Sequence, residues 1–563
     1  MSHLPKFNEE AEEKKLDEIR HKEEEDLAEI LSKKYGLPYT DLSVVPVNTM
    51  ALLLVPEDIA REAKLAAFGL KGNTVSVGIL TPNNEHVEKA LEILKKKKFV
   101  PLLHLVSEES LENAWKRYGE VSHAEVTEQG VIEVNEKDLA ILTEKIKTVE
   151  DLHEALEDAM EKKDIRNISK ILEIVIAGAL STNASDIHLE PEKESVRFRL
   201  RLDGVLQNIT NFDNHIYQLI LSRIKIVSGL KLNIKKEAQD GRFSIRVGKN
   251  QVEIRTSLIP GSYAESVVLR ILNPQSVSLD MASLGVDEKL LRVLEREIEK
   301  PHGMLLNTGP TGSGKTTTLY SFLKKINKPG IKIITIEDPV EYRLPGISQT
   351  QVREGYNFGD GLRSILRQDP DIIMVGEIRD GETAKIAVQA SLTGHFVFST
   401  LHTNTAAGAI PRLIDLGADV KILGDALTVT MAQRLVRKLC TKCKEKYKPT
   451  ADEISLMKTI ASGMPDDYKS AMPEIETTEI YKTVGCKECN NTGYKGREGV
   501  YEVILVDEIV AKAILLSPSE RDIWKASHEQ GLLRMGEHGI LKVLAGITTL
   551  DEVGRVVDLK ENL

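Results

Sequence analysis

Apolar positions recur along this chain with two periods, near 3.6 and 2, and the changes between them mark out its elements. Leu27-Ala28-Glu29-Ile30-Leu31 has helical spacing, Val75-Ser76-Val77-Gly78-Ile79-Leu80 reads as a strand, and Val87 to Leu94 returns to helix. These runs predict a small α/β unit over residues 27–118. Ahead of it, residues 1–26 form a charged segment, dense in Glu and Lys from residue 8 and poor in apolar periodicity. Residues 119–165 are acidic and weakly patterned, and read as a linker with one long helix-like piece. A second unit, 166–275, opens on an apolar helix, Ile168 to Leu180. Strict alternation follows at 196–201, with Val196, Phe198 and Leu200 on one face and Arg197, Arg199 and Arg201 on the other. Further strands are predicted at 242–247, 252–257 and 266–272. From 276 to 563 strands alternate with helices, the pattern of a parallel sheet with crossover connections.

Four apolar runs of this third unit end in polar tips. Gly303 to Thr308 feeds Gly309-Pro310-Thr311-Gly312-Ser313-Gly314-Lys315-Thr316, and Thr317 onward reads as a helix. The string fits G-x-x-x-x-G-K-[ST]: backbone N–H groups cradle phosphates, Lys315 reaches the outer phosphates, and Thr316 holds Mg²⁺. The run 332–336 ends in Glu337-Asp338-Pro339-Val340-Glu341. The run 372–375 ends in Gly376-Glu377-Ile378-Arg379-Asp380, and 396–401 ends in His402. Open parallel sheets bind ligands beyond the carboxyl ends of their strands. A single acidic strand end is more often a helix cap or a surface charge. Three polar ends beside one phosphate loop predict a nucleoside-triphosphate site with carboxylates to hold Mg²⁺ and orient water.

Composition narrows the classes. With 563 residues the chain holds several domains, and 41% hydrophobic with 29% charged residues is ordinary for a water-soluble protein. No stretch approaches 18 uncharged apolar residues and no signal-peptide core is present, so a cytoplasmic protein is expected, with no direct membrane insertion. A net charge of −11 argues against a nucleic-acid partner. Lys95 to Lys98 reads as a solvated helix end. All four cysteines fall in two C-x-x-C pairs, Cys440/Cys443 and Cys486/Cys489. They read as a tetrahedral, structural zinc site, with redox pairs as the alternative. The arginines of the second unit read as a solvated sheet face, or else Arg255 and Arg270 reach the γ-phosphate of a neighbouring subunit.

On these motifs the chain resembles the ATPases of type II secretion and type IV pilus assembly, strongly over about 165–563 and more weakly over 27–118. The resemblance rests on Ala184 to Pro191, Gln239-Asp240-Gly241-Arg242, the phosphate loop, the acidic box Thr335 to Tyr342, the Walker B region Leu362 to Asp380, the histidine box Thr393 to Asn404, and Cys486 to Arg497. It implies an α/β multidomain protein: a small N-terminal α/β domain, a PAS-like α/β domain, and a RecA-like P-loop ATPase core with a parallel sheet and a zinc-bound subdomain near 438–500. It implies ATP, Mg²⁺ and Zn²⁺ as ligands. Glu341 would be the general base, and Glu377 the Walker B carboxylate, sharing its duties with Glu337 and Asp338. His395 and His402 would sense the γ-phosphate, and Arg255 and Arg270 would act between subunits. A homohexamer is implied, recruited to the cytoplasmic face of the inner membrane by a polytopic platform protein and other machine components, and assembling a type IV pilus or a secretion pseudopilus. The competing readings are a nucleotide-gated scaffold with little turnover and a nucleic-acid-translocating ring. Ala238, Ala264 and Asn357-Phe358-Gly359 depart from the family pattern without removing a chemical group from the site. The N-terminal unit lacks the Arg-Leu-Gly opening and trailing Gln that mark the version binding a cyclic dinucleotide.

Overall fold

The computed structural model describes residues 24–559 except 43, 46, 53, 72, 98, 121–130, 133–135, 162–166, 248–249 and 273–279. Most of the charged segment 1–26 and part of the expected linker therefore lie outside the described residues. The chain divides into two units, residues 1–125 with 158–172 and residues 126–157 with 173–563. No helix among the described residues is long and apolar enough to cross a membrane.

The first unit holds a three-stranded sheet of β1 (Leu65–Lys71), β2 (Thr74–Ile79) and β3 (Val100–Leu105). β1 and β2 form an antiparallel hairpin, while β3 lies parallel to β2. Parallel neighbours need a crossover, here the helix Glu85–Lys96. Asn84 caps its first turn through His86 N, and Val87, Ala90 and Leu94 bury one face. Lys95 and Lys96 end the helix, where cations complement its dipole.

The second unit contains two seven-stranded sheets. One comprises β4 (Val131–Ile132), β5 (Asp186–Pro191), β6 (Val196–Leu202), β7 (Val205–Phe212), β8 (Gln239–Val247), β9 (Asn250–Ile259) and β10 (Ser266–Leu272), in the order β4-β8-β9-β10-β5-β6-β7. On β6 the alternation is as expected: Val196, Phe198 and Leu200 are fully buried. Its arginines are not simply solvated. Arg199 pairs with Glu190 and Arg201 with Asp186, both on neighbouring β5. The stretch expected to carry one helix-like piece contains two helices, Glu136–Lys145 and Val149–Glu161. Leu152 packs so closely on Gly178 that a Cβ there would lie 2.4 Å from it.

The other sheet comprises β11 (Gly303–Thr308), β12 (Ile333–Glu337), β13 (Ser348–Gln351), β14 (Ile372–Val375), β15 (Phe396–Leu401), β16 (Leu427–Leu439) and β19 (Tyr494–Leu505), in the order β13-β12-β14-β15-β11-β16-β19. A two-stranded ribbon, β17 (Glu445–Tyr447) with β18 (Ile480–Lys482), lies in the insert between β16 and β19. The seven strands are parallel except β19, which runs antiparallel to β16. Period-2 geometry explains the continuous apolar runs, because each strand feeds a core on both faces. Leu306, Ile336, Val375 and Val397 enter one core; Leu305, Ile333, Met374 and Phe398 enter the other.

Far along the chain, Glu552 ties the helix Leu550–Val556 to β16. Its carboxylate accepts from Arg437 Nη2 and Arg555 Nη2, both at 2.6 Å. Burial pushes this carboxyl up, but the two arginines outweigh burial and hold it down at about 2. A depressed carboxyl contributes stability above its unfolded pKa and loses it as pH falls through the folded value. Between the unfolded 4.5 and about 2 the difference is worth about 3 kcal/mol. E552Q is expected to lower urea stability at pH 7 by about that much, and its stability to fall less steeply than wild type between about pH 5 and pH 2.

Candidate nucleotide site

β11 ends at the phosphate loop. Gly309 and Gly314 sit at φ +144° and +90°, where a side chain is strained. A Cβ would also lie 2.5 Å from the Gln433 carbonyl at Gly309 and 2.8 Å from Gln433 Nε2 at Gly314. Gly314 opens the helix Lys315–Ile326, placing Lys315, Thr316 and Thr317 in its first turn. Pro310, Thr311 and Gly312 form the exposed crest. Lys315 Nζ folds back to donate to Gly309 O at 2.7 Å and Pro310 O at 3.1 Å. Burial pulls its ammonium down to about 8, against the opposing field of nearby Glu377. Ser313 Oγ is buried without a hydrogen-bond partner. An ammonium held only by carbonyls, an orphaned hydroxyl and a helix N-terminus fit an anion with several oxygens.

The neighbouring strand tips bring acids to this loop. After β14, Glu377 accepts from Arg379 and stands 3.3 Å from His402 Nε2, at the tip of β15. Burial pushes its carboxyl up, but Arg379 and His402 outweigh burial and hold it below the usual range. Arg379 also reaches Asp338, 3.5 Å away, after β12. Glu337, the last residue of β12, is buried and accepts from Tyr320, Thr335 and Gln349, which fix both its oxygens. Lys315, Glu377, His402 and Asp338 thus belong to one cluster.

Glu341 lies beside a cleft of about 1040 Å³ lined by residues of β8, β9 and β10 and by residues 339–344. There Arg255 Nη1 is 3.0 Å from the Glu341 carboxylate, and Arg255 Nη2 donates to Val340 O at 2.9 Å. Arg270 lines the same cleft and pairs with Asp186 at 3.1 Å. Arg255 therefore meets Glu341 within its own chain. His395 is not brought to the site. It precedes β15 at the opposite end of that strand, about 20 Å from the tip, and its Nδ1 lies 3.1 Å from Ala390 O.

Four contacts went unread in the sequence. Gln433 Oε1 accepts from Asn307 and Thr318 beneath the phosphate loop. Arg434 reaches Asn404 O at 3.0 Å, and Thr308 Oγ1 accepts from Thr403 N at 2.8 Å. The available signal was the polar pair Gln433-Arg434 interrupting the apolar run of β16.

The four cysteine sulfurs lie within 4.8 Å of one another. The separations Cys440–Cys486 and Cys443–Cys489 are 3.8 Å, and Cys486–Cys489 is 3.7 Å. Four sulfurs about 2.3 Å from a central ion form a tetrahedron with an edge of about 3.8 Å. Backbone N–H groups of Cys486 and Gly493 donate to Cys489 Sγ at 3.2 and 3.3 Å, as suits a thiolate.

Residues 161–555 match the sequence model of the family described as Type II/IV secretion system protein, and residues 35–125 match the MshEN domain. The type II secretion system protein E of Dickeya dadantii is 39% identical over 525 residues, covering 92% of this chain and 99% of that one. The type IV pilus assembly ATPase PilB of Myxococcus xanthus is 36% identical over 534 residues, covering 94% and 91%. The type II secretion system ATPase E of Vibrio cholerae is 43% identical over 403 residues, covering 71% and 77%. Among solved structures, the ATPase DotB of Yersinia pseudotuberculosis superposes with a TM-score of 0.51 at 18% identity, over 69% of this chain and 94% of that one. That likeness is one of fold.

Proposed function

The chain belongs to the Type II/IV secretion system protein family, and we propose on that premise that it is a motor hydrolysing ATP to drive assembly of pilin-like subunits in a type IV pilus or secretion pseudopilus. The observation that carries this reading is the convergence of Lys315, Glu377, His402 and Asp338 at the carboxyl tips of four parallel strands, with Glu341 beside the adjoining arginine-lined cleft.

The triphosphate of ATP takes the hydrogen bonds that the loop leaves open, and Lys315 exchanges the carbonyls of Gly309 and Pro310 for phosphate oxygens. Thr316, with Glu377 and Asp338 nearby, would hold Mg²⁺, which supplies charge neutralisation on the phosphates. Glu341 accepts a proton from the attacking water as its oxygen bonds to the γ-phosphorus and the bond to the β-γ bridging oxygen breaks, releasing ADP. Its release from Arg255 frees a guanidinium to face the γ-phosphoryl group, with Arg270 lining the same cleft. His402, held on Glu377, reports whether that group is present. We place the working protein as a homohexamer recruited to the cytoplasmic face of the inner membrane by a polytopic platform protein.

Mg²⁺-dependent phosphate release tests the reading. Turnover is expected without DNA and unchanged by it, with a hexamer in sizing runs containing a non-hydrolysable ATP analogue. A wild-type protein that binds ATP without releasing phosphate would return the scaffold reading, and stimulation by DNA the translocase.

We assign zinc to the four-cysteine cluster, in a structural role, since four thiolates leave no open position. Stripping the metal with a chelator is expected to unfold residues 438–500 locally, seen as a lowered Tm and new proteolytic cuts there, because metal binding and folding are coupled. An unchanged melting curve after verified metal removal argues against the assignment.

A further inference from the structure

The loop that carries His402 to Glu377 is held at several points. Thr403 is locked to Thr308 at the end of β11, through Oγ1 contacts of 2.6 Å. Asn404 O accepts from Arg434 on β16. A third hold is Glu502 on β19, a buried carboxylate that no step above uses. Ala406 N donates to Glu502 Oε1 at 2.7 Å, and Met535 N donates to Oε2 at 3.4 Å. Met535 is the first residue of the helix Met535–Leu544. The two oxygens of one side chain thus join the histidine loop to the start of a C-terminal helix.

A carboxylate is an expensive way to fill a core position, and packing alone would be served by an apolar residue. What it adds is an acceptor for each of two backbone N–H groups. A glutamine has the same shape but offers one carbonyl oxygen, and its NH₂ group meets the second N–H as a donor facing a donor. We propose that Glu502 is a positioning residue for hydrolysis, coupling the His402 loop to the helix Met535–Leu544 so that the two move together. This rests on the reading of the site as ATP-hydrolysing. Glu520, on the helix Glu520–Ser527, accepts from Thr405 Oγ1 of the same loop, so one C-terminal helix holds the loop directly and another through Glu502. The charged groups facing Glu502 are Arg434 from β16, Arg534 from the turn before Met535, and Glu520. Burial pushes the Glu502 carboxyl up to about 7, against its backbone hydrogen bonds. Protonation near neutral pH therefore converts one acceptor into a donor, as the glutamine does permanently.

The test is steady-state phosphate release by the full chain as wild type, E502Q, H402A and the double variant. At pH 8, E502Q is expected to lose about tenfold in kcat, with KM and affinity for a fluorescent ATP analogue within about twofold of wild type. The ratio of wild type to E502Q should shrink at pH 6, as the wild-type carboxyl takes up its proton. Added to H402A, E502Q should cost little more, because both act through one loop. Equal kcat at pH 8, a ratio unmoved by pH, or the full loss repeated on H402A overturns the proposal. A wild type without turnover overturns instead the reading it rests on. Should E502Q not fold, hydrogen exchange of wild type decides. The ATP analogue is expected to shift protection of residues 400–410 and 531–540 together, and a change in the first alone overturns the coupling.

Discussion

Lys315→Ala is expected to reduce phosphate release by about 10³-fold or more while leaving the melting temperature close to wild type. The ammonium's hydrogen bonds are to Gly309 O and Pro310 O of its own loop. Pro310 is exposed, so water can replace the amine there, and no buried counter-charge is stranded by the truncation. What disappears is the positive charge that the developing negative charge on the transferring phosphoryl group requires. The loop glycines still fit the phosphates, so weakened nucleotide binding should accompany the far larger loss of turnover. Malachite-green phosphate release beside a thermal melt checks both halves, and turnover within about tenfold of wild type would remove the phosphate loop from the mechanism.

Glu341→Gln is expected to lower kcat by about 10²- to 10⁴-fold with nucleotide affinity retained or improved. Glutamine keeps the shape but has no basicity for the water's proton. It also dissolves the 3.0 Å pair with Arg255, leaving that guanidinium free for phosphate from the outset. The split between kcat and affinity separates this variant from Lys315→Ala, which weakens both. Single-turnover measurements with pre-bound ATP check it. A Glu341→Gln protein that hydrolyses at the wild-type rate would transfer the base role to another carboxylate of the cluster, with Glu377 the next to test.

Much of the architecture was legible because burial on both faces writes itself as unbroken apolar runs. The strands Gly303–Thr308, Ile333–Glu337, Ile372–Val375 and Phe396–Leu401 lie where those runs fall, and the polar tips lie at one edge. Strand Val196–Leu202 was equally plain, since one of its faces is apolar and the other charged. Its neighbours Asp186–Pro191 and Val205–Phe212 were not read as strands. Asp186, His188 and Glu190 on the first answer arginines across the sheet, and Gln207, Asn208 and Asn211 dilute the alternation of the second. The meeting of Arg255 with Glu341 has no local signature, because it joins residues 86 apart in sequence. The two histidines of one motif show the opposite failure. They are close in sequence, but six residues of extended strand put His395 and His402 at opposite ends of the sheet.

Strand Leu427–Leu439 has 13 residues, which extended span about 43 Å. Gln433 and Arg434 near its middle touch the phosphate loop and the histidine loop, and Cys440 follows directly after its last residue. Along that one rod about 20 Å separates the candidate nucleotide site from the four-sulfur knot. The knot thus sits at the end of a beam whose midpoint bears on the candidate nucleotide site. A displacement of that end would be carried along hydrogen-bonded backbone rather than across pliable side chains.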